Sequence, residues 1–324
     1  MSSQNVVAGG EAHRIDTHHH VVPPCYLERH RDAILAVAHV HAPKLVEWTP
    51  AKSLEAMDRA GVATAITSIS SPGVWFGDGA AARGMVRECN EFAAQMARDH
   101  KGRFGVFAAL PLPDADASLR EIEYAFDVLK ADGIGLMTHF GEAYPGDPRF
   151  AAVFDELNRR KAVVYFHPTT PGYCSALLPE IPPPMVEFPF DTTRAILTLL
   201  FSGTFSRCQD IRFIFSHAGG TLPMLAHRIA AVTGTRKELA AQAPKGAMHE
   251  FRRLYYDVVN ASNPISFNAI RQLAGIPQLL YGSDFPFWLP EMTASALAEL
   301  GLAAEELRAV ERDNALALFP RFAR

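Results

Sequence analysis

Eight short apolar segments, each separated from the next by a longer stretch, most constrain the fold of this chain. They are rich in β-branched and aromatic residues and are bounded by Gly, Pro or Asp, as is typical of buried parallel strands. The segments span residues 14–22, 63–70, 104–110, 133–140, 162–168, 211–220, 254–259 and 278–286. Three of the stretches between them, residues 77–102, 114–133 and 147–161, carry helix start and stop signals such as Asp147 followed by Pro148.

This alternation predicts an α/β fold, a (β/α)8 TIM barrel, which suits a chain of 324 residues. A doubly wound sheet is the alternative, but no GxGxxG motif follows the first segment. Two long connections, residues 23–52 and 169–191, are expected to distort the barrel as insertion loops after strands 1 and 5. The second is too rich in proline for a helix and is expected to be an ordered loop over the barrel mouth. We expect one domain over residues 1–324, with a flexible segment at residues 1–13.

The composition argues against several classes of partner. The formal net charge is −4, so the chain has no basic excess to neutralise phosphates and a nucleic-acid partner is not expected. No apolar run approaches the roughly 20 residues of a membrane span, and the first residues lack a signal-peptide pattern. The four cysteines are scattered without a CxxC motif, which favours free thiols in a reducing, cytoplasmic compartment.

Residue types that bind metals recur where the predicted strands end. Alternation along the first strand places His18 and His20 on one face. The fifth, sixth and eighth segments end near His167, His217 and Asp284. Because the carboxyl ends of barrel strands meet at one end of the barrel, these side chains are expected to converge, and a shared divalent cation is their simplest common partner. Each of these residues taken alone is equally compatible with a structural role. Their joint occurrence at strand ends is not explained by structural roles.

The remaining histidines point less clearly to chemistry. His19 faces away from His18 and His20 and is expected to be structural, while Asp16 shares their parity and is a candidate to orient a ligand. The histidines expected on helices or loops, as solvated surface residues, are His13, His30, His41, His100, His227 and His249.

The chain resembles the amidohydrolase superfamily in four motifs, DTHHH, FHP, SHAGGTLPMLAHRI and YGSDFP, across residues 14–320. Within it, the chain is most similar to the branch typified by aminocarboxymuconate-semialdehyde decarboxylase, with the γ-resorcylate and 5-carboxyvanillate decarboxylases. The stretches SISSPGVWFGD, HFGEAYPGDPRF and EFPFDTTRAI look most like 6-methylsalicylate decarboxylases.

The resemblance implies the roles of several residues. His18, His20, His167 and Asp284 would bind one divalent Zn or Mn ion, and His217 would be the catalytic histidine. Two-metal members carry a lysine or glutamate at the end of the fourth strand. Thr138 and His139 stand there in this chain, which favours a single metal.

The resemblance also implies contacts to the substrate. Arg228 matches an arginine that reaches a substrate carboxylate across a dimer interface, so a homodimer or homotetramer is expected. His139 is a further candidate for the pocket lining. An aromatic group, which includes the candidate substrate contacts Phe190 and Phe285, forms either a slot for a flat ring or ordinary core. Its members are Phe188, Phe190, Phe285, Phe287 and Trp288.

The function implied is non-oxidative decarboxylation of an o-hydroxybenzoate, with Asp284 or His217 protonating the ring carbon that loses CO₂. Hydrolysis of a lactone or amide by metal-activated water is the alternative on the same site. A metal-free binding protein is a third hypothesis, which the intact ligand set disfavours.

Overall fold

Eight parallel strands, hydrogen-bonded in chain order, form the centre of the molecule. The computed structural model describes residues 13–38, 41–174, 177 and 180–323, so the first twelve residues, expected to be flexible, lie outside it. The strands are β1 Arg14–His20, β2 Val62–Ser68, β3 Phe104–Ala109, β4 Gly133–Met137, β5 Val163–His167, β6 Arg212–Phe215, β7 Tyr255–Asp257 and β8 Leu279–Leu280. The predicted (β/α)8 barrel is confirmed, with strands shorter than the apolar segments that indicated them.

The helices lie between the strands and beyond β8. They are α1 Pro24–Ala38, α2 Ala42–Val46, α3 Pro50–Arg59, α4 Gly79–Asp99, α5 Ala115–Glu123, α6 Ala151–Arg159, α7 Glu187–Phe201, α8 Thr204–Arg207, α9 Leu222–Thr235, α10 Lys237–Gln242, α11 Ala247–Arg252, α12 Pro264–Ala274, α13 Pro290–Glu299, α14 Ala304–Arg308 and α15 Asn314–Leu318. Asp78 and Asp114 cap α4 and α5 by accepting backbone N–H bonds. Within the described ranges, no helix is long and apolar enough to cross a membrane.

The seam between β8 and β1 is bridged by irregular backbone hydrogen bonds. The Thr17 amide donates to the carbonyl of Tyr281 at 3.0 Å, and the Asp284 amide donates to the carbonyl of His18 at 2.7 Å. The His20 amide then donates to the carbonyl of Phe285 at 2.8 Å. Residues just beyond β8 therefore continue the barrel wall, and this irregular pairing fixes Asp284 beside the end of β1.

The barrel interior near the amino ends of the strands is apolar, and residues close to the end of the chain pack against it. Ile15, Ile66, Phe107 and Tyr165 are inward-facing members of this cluster, in which Phe322 is also buried. The Phe107 and Tyr165 rings stack with centroids 5.1 Å apart. The polar ends of the strands therefore gather at the opposite, carboxyl end of the barrel.

The two predicted insertions contain more helix than the sequence suggested. Helices α1 and α2 lie inside residues 23–52. In residues 169–191 the described part holds two short 3-10 turns, but α7 begins at Glu187, so the expected loop is wrong for residues 187–191. Pro189 is tolerated because it occupies the first turn of α7, where backbone N–H groups have no partner within the helix.

Candidate metal centre and active site

A bulge in β1 aims two histidines at the carboxyl end of the barrel. Asp16 and His19 are successive paired residues of β1, yet their partners on β2 are only two positions apart, so β1 holds one extra residue. Below the bulge Ile15 faces the apolar interior. After the bulge, the rings of His18 and His20 lie beside one another with their centroids 5.0 Å apart.

His19 has the structural role that its parity predicts. Its ring is fully buried and stacks on Phe285 with centroids 4.8 Å apart. Its Nδ1 and Nε2 atoms lie 3.0 Å from Asp16 Oδ2 and 3.0 Å from Ser53 Oγ. Asp16 also accepts the backbone amides of His18 and Ser283, so it ties β1 to the segment after β8 and acts on His18 through the backbone.

Four predicted residues from three parts of the barrel converge. Each of the four residues offers one ligand atom, and these atoms all lie within 4.8 Å of one another. All four residues are buried, and they are His18, His20, His167 and Asp284. The Nε2 atoms of His18 and His20 are 3.2 Å apart, and Asp284 Oδ1 lies 2.9 Å from His20 Nε2. Bonds of about 2.0–2.2 Å to a common ion would put neighbouring ligand atoms at about this spacing.

The tautomers of the three imidazoles fit a cation. Each Nδ1 atom is engaged by an acceptor: His18 by Asp257 Oδ2 at 2.9 Å, His20 by the Ser68 carbonyl at 3.3 Å and His167 by the Pro168 carbonyl at 2.9 Å. Carbonyl and carboxylate oxygens only accept, so Nδ1 carries the hydrogen and the Nε2 lone pairs remain. Three lone pairs and a carboxylate oxygen thus face one point, and a divalent cation satisfies all of them.

The charges of the buried carboxylates favour a positive charge at the point where the four ligand atoms meet. Burial alone lowers the pKa of His18, but the charges of Asp257 and Asp284 outweigh it and raise that pKa to about 10. Burial lowers the pKa of His20 and holds that of His167 well below its usual range. The pKa of Asp284 lies well below its usual range because the interactions with His18 outweigh the effect of burial. Two buried carboxylates therefore hold positive charge between them, as a proton on His18 or as a metal ion.

His217 lies next to this cluster but outside it. Its Nε2 atom is 3.4 Å from Asp284 Oδ2, and its backbone amide donates to Asp257 Oδ1 at 2.9 Å. The His18 and His217 rings have centroids 5.0 Å apart. His217 and Asp284 can therefore share a proton beside the proposed ion.

A cavity of about 340 Å³ opens from the cluster, and we refer to it as the metal cavity. His167, His217 and Asp284 line one side, and Phe188, Phe287 and Trp288 are among its apolar lining. Ser70 lines it too, and its Oγ atom is buried without a hydrogen-bond partner in the described part of the chain. A small apolar space with a few convergent polar groups is typical of a small-molecule site.

Backbone strain concentrates at the metal cavity. Three lining residues that are not glycine have positive φ: His217 at 53°, Asn260 at 55° and Asp284 at 61°. Such conformations cost free energy and persist where surrounding structure enforces them, which occurs often at active sites.

Four candidate substrate contacts do not line the metal cavity. Arg228 is exposed on α9, and Phe190 is 44% exposed on α7. Phe285 is buried against His19, and His139 lines a separate cavity. Of the predicted aromatic group, Phe188, Phe287 and Trp288 do reach the metal cavity.

Sequence reasoning missed two residues of this centre. Asp257 ends β7 fully buried, and the rule that polar residues at strand ends mark the site would have found it if applied to the seventh segment. His41 lines the metal cavity beside Trp288. The expectation that it is a solvated surface residue is therefore wrong. Burial and the nearby Lys44 lower the pKa of His41. No local signal indicates its place, because the fold of the segment after β1 decides it.

A parallel barrel with a buried His3Asp cluster at its carboxyl end defines a metal-dependent barrel enzyme. The family model of amidohydrolases matches residues 15–321. The chain is 37% identical over 329 residues to the decarboxylase yanB of Aspergillus niger, covering 95% of this chain and 88% of that protein. It is 34% identical over 315 residues to the 6-methylsalicylic acid decarboxylase of Penicillium expansum, covering 95% and 96%. The chain therefore belongs to the amidohydrolase family.

The fold is also similar to that of a solved structure. The crystal structure of a dihydroxybenzoic acid decarboxylase from a Polaromonas species, with bound manganese and the inhibitor 2-nitroresorcinol, superposes with a TM-score of 0.84 at 21% identity. The match covers 95% of this chain and 97% of that one. This likeness shows the shared fold. The fungal relatives at 34–37% identity confirm the resemblance to the decarboxylase branch and favour decarboxylation over hydrolysis.

Proposed function

We propose that this protein is a non-oxidative decarboxylase of an aromatic acid of the o-hydroxybenzoate type, such as 6-methylsalicylate. The observation that carries the proposal is the metal cavity, where a His and Asp cluster faces an apolar space of about 340 Å³ next to His217. The names of the fungal relatives at 34–37% identity support the same reaction.

His18, His20, His167 and Asp284 would hold one Zn²⁺ or Mn²⁺ ion, since nitrogen and carboxylate ligands suit both. A bound divalent cation supplies positive charge that orients the carboxylate and its ortho hydroxyl and stabilises charge that develops on the ring. Asp257 keeps His18 in the tautomer that offers Nε2 to the ion.

Asp284 and His217 supply the proton that replaces the carboxylate. Their side chains are 3.4 Å apart, so a proton can pass between them and be delivered to the ring carbon from either. The new C–H bond forms, the bond to the carboxyl carbon breaks, and its electron pair restores the aromatic ring as CO₂ leaves. The apolar side chains of Phe188, Phe287 and Trp288 pack the ring and exclude water.

The polar groups of the metal cavity determine which acid is accepted. Ser70 Oγ needs a partner, and a hydroxyl or carboxylate oxygen of the substrate can provide it. Arg228 would reach the substrate of a neighbouring subunit in a homodimer or homotetramer, since it is exposed and lines neither large cavity of its own chain. His139, Phe190 and Phe285 act at most indirectly on the acid.

Four free cysteines suit a cytoplasmic enzyme.

The test pairs metal content, measured by mass spectrometry, with CO₂ release from a panel of hydroxybenzoates that includes 6-methylsalicylate. We expect about one Zn or Mn per chain and release of CO₂ from at least one acid. Metal without CO₂ from any acid would contradict the proposal and direct the search to lactones and amides.

Two variants test the site itself. His18→Ala and Asp284→Ala are each expected to abolish metal content and turnover, because each leaves other buried ligand groups without a shared partner. His249→Ala, at an exposed position of α11, is the matched control and should retain both. Full activity in either ligand variant would exclude this site.

A further inference from the structure

A second cavity of about 490 Å³ lies at the same end of the barrel, over the ends of β2, β3 and β4. We refer to it as the side cavity. Its lining is largely apolar and aromatic, with Trp75, Phe76, Phe140 and Tyr173 among its members. Its volume exceeds that of the metal cavity, and the two linings have no residue in common within the described part of the chain. It is large enough for a monocyclic aromatic molecule.

A buried network sets the hydrogen-bonding character of the side cavity. Asp191, fully buried, accepts from His139 Nδ1 at 2.8 Å and from the Tyr144 hydroxyl at 2.5 Å. His139 lines the side cavity, and its Nε2 atom has no hydrogen-bond partner among the described residues. With Nδ1 donating to a carboxylate, Nε2 is left to accept a hydrogen bond from a ligand. Thr170 also lines the cavity, and its buried hydroxyl has no partner either.

The side cavity disfavours anions. Glu142 lines it, and no Lys or Arg is found among the described residues of the lining. Arg194 lies near the network but faces two carboxylates, with its Nη1 atom 3.6 Å from Asp191 Oδ1 and 3.9 Å from Glu187 Oε2. The buried Nη1 atom of Arg194 makes no hydrogen bond in the described part of the chain, but the residue does not line the cavity. A carboxylate ligand would therefore meet the charge of Glu142 and compete with two carboxylates for Arg194, whereas a neutral hydroxyl would find an acceptor.

The two cavities are separated by a thin polar partition. Ser71 lines the metal cavity and Thr169 lines the side cavity, and their hydroxyls are 2.9 Å apart. Ile69 and Ser70, adjacent in the chain, likewise line the side cavity and the metal cavity respectively. The hydrogen bond between Ser71 and Thr169 therefore lies between the two spaces.

We propose that the side cavity binds a neutral monocyclic phenol, the product that decarboxylation leaves behind, while the anionic acid stays in the metal cavity. The inference rests on the proposed function, since loss of CO₂ turns 6-methylsalicylate, an anion, into m-cresol. Phenols ionise near pH 10 and are neutral in the cell. Decarboxylation thus removes the charge that keeps the ring beside the metal ion, and the side cavity separates product from substrate.

The tryptophans provide the experiment. The chain has three, of which Trp75 lines the side cavity, Trp288 lines the metal cavity and Trp48 is buried against Ser53. Fluorescence of the metal-loaded protein is excited at the red edge of indole absorption. The m-cresol is added by titration, whereas 6-methylsalicylate is mixed by stopped flow and its signal is read before the first turnover, so that no m-cresol has formed. We expect Trp75→Phe to lose the response to m-cresol and keep the response to the acid, and Trp288→Phe to show the reverse.

A further variant keeps all three tryptophans. His139→Phe removes the acceptor and is expected to weaken m-cresol binding about fivefold, the usual effect of one lost hydrogen bond, without changing the response to the acid. A response to m-cresol that depends on Trp288 alone, or no response in either variant, would overturn the inference. Binding of m-cresol at Trp75 without CO₂ release from any acid would refute the decarboxylase and leave the phenol site standing.

Discussion

At the scale of single residues, Asp257 acts on the metal centre through two histidines. It accepts from His18 Nδ1 and from the backbone amide of His217, so one carboxylate orients both histidines. Asp257→Asn replaces an acceptor with an amide that can present its NH₂ group, and it is expected to weaken metal affinity about 10- to 100-fold. Competition with a chelator measures this. Asp155→Asn, at a half-exposed carboxylate paired with Arg207, is the control, and equal affinity in both variants would contradict the role.

Cys25 is expected to be the first thiol to react. It is partly exposed, whereas Cys89, Cys174 and Cys208 are buried. The neighbouring Cys89 side chain outweighs burial and lowers the pKa of Cys25 to about 7. Because the thiolate is the nucleophile, the rate of alkylation should rise through about pH 7, below the value near 8.5 of a free thiol. Mass spectrometry after iodoacetamide pulses measures this. Slower labelling at Cys25 than at Cys174, or a midpoint above 8, would be evidence against it.

At the scale of elements, the turn after β6 determines where α7 begins. Gly220 has φ +68°, and a Cβ atom there would lie 2.1 Å from the carbonyl oxygen of Pro189. Gly220→Ala should displace the start of α7, which carries Phe188 into the metal cavity, and cost about 1–3 kcal/mol of unfolding free energy with a raised KM. Denaturant unfolding and steady-state kinetics test this.

Gly246 offers a matched control for that substitution. Its φ is +88°, but nothing lies within 4 Å of a Cβ placed there. Gly246→Ala should therefore cost only the backbone penalty, of about 1–3 kcal/mol, with KM unchanged. Equal effects on KM from both alanines would show that the contact with Pro189 does not control the cavity.

The elements also show what sequence can predict. The short apolar segments bounded by Gly, Pro or Asp predicted all eight strands, and parity within β1 correctly paired His18 with His20. The bulge that aims them, and the two-residue length of β8, depend on pairing between neighbouring strands and leave no local pattern. For the same reason the place of His41 could not be predicted, because it is set by packing against Phe287 and Trp288.

At the scale of the whole molecule, the exposed position of Arg228 on α9 leads to a test of whether a second subunit completes each metal cavity. Arg228→Ala is expected to raise KM about 10- to 100-fold, the usual effect of losing a hydrogen bond to a charged group. Arg236→Ala, at the end of the same helix, is the control. Light scattering gives the oligomeric state alongside.

Mixing two variants shows which subunit supplies the arginine. If Arg228 acts across an interface, co-refolded Arg228→Ala and Asp284→Ala chains regain activity, because one site then combines an intact metal centre with the partner's intact arginine. If it acts within its own chain, every mixed site stays defective and mixing restores nothing. An unchanged KM in Arg228→Ala would exclude both arrangements.

The irregular seam that joins the two ends of the barrel has a consequence for how the enzyme is made. His20 and Asp284 lie side by side in the metal centre although they are 264 residues apart in the chain. At about 5–20 residues per second, a ribosome adds Asp284 roughly 13 to 50 seconds after His20. A nascent chain that does not yet include Asp284 therefore lacks one of the four candidate ligands. An ion held by all four residues would be inserted only after Asp284 has been added, although His18, His20 and His167 are made much earlier.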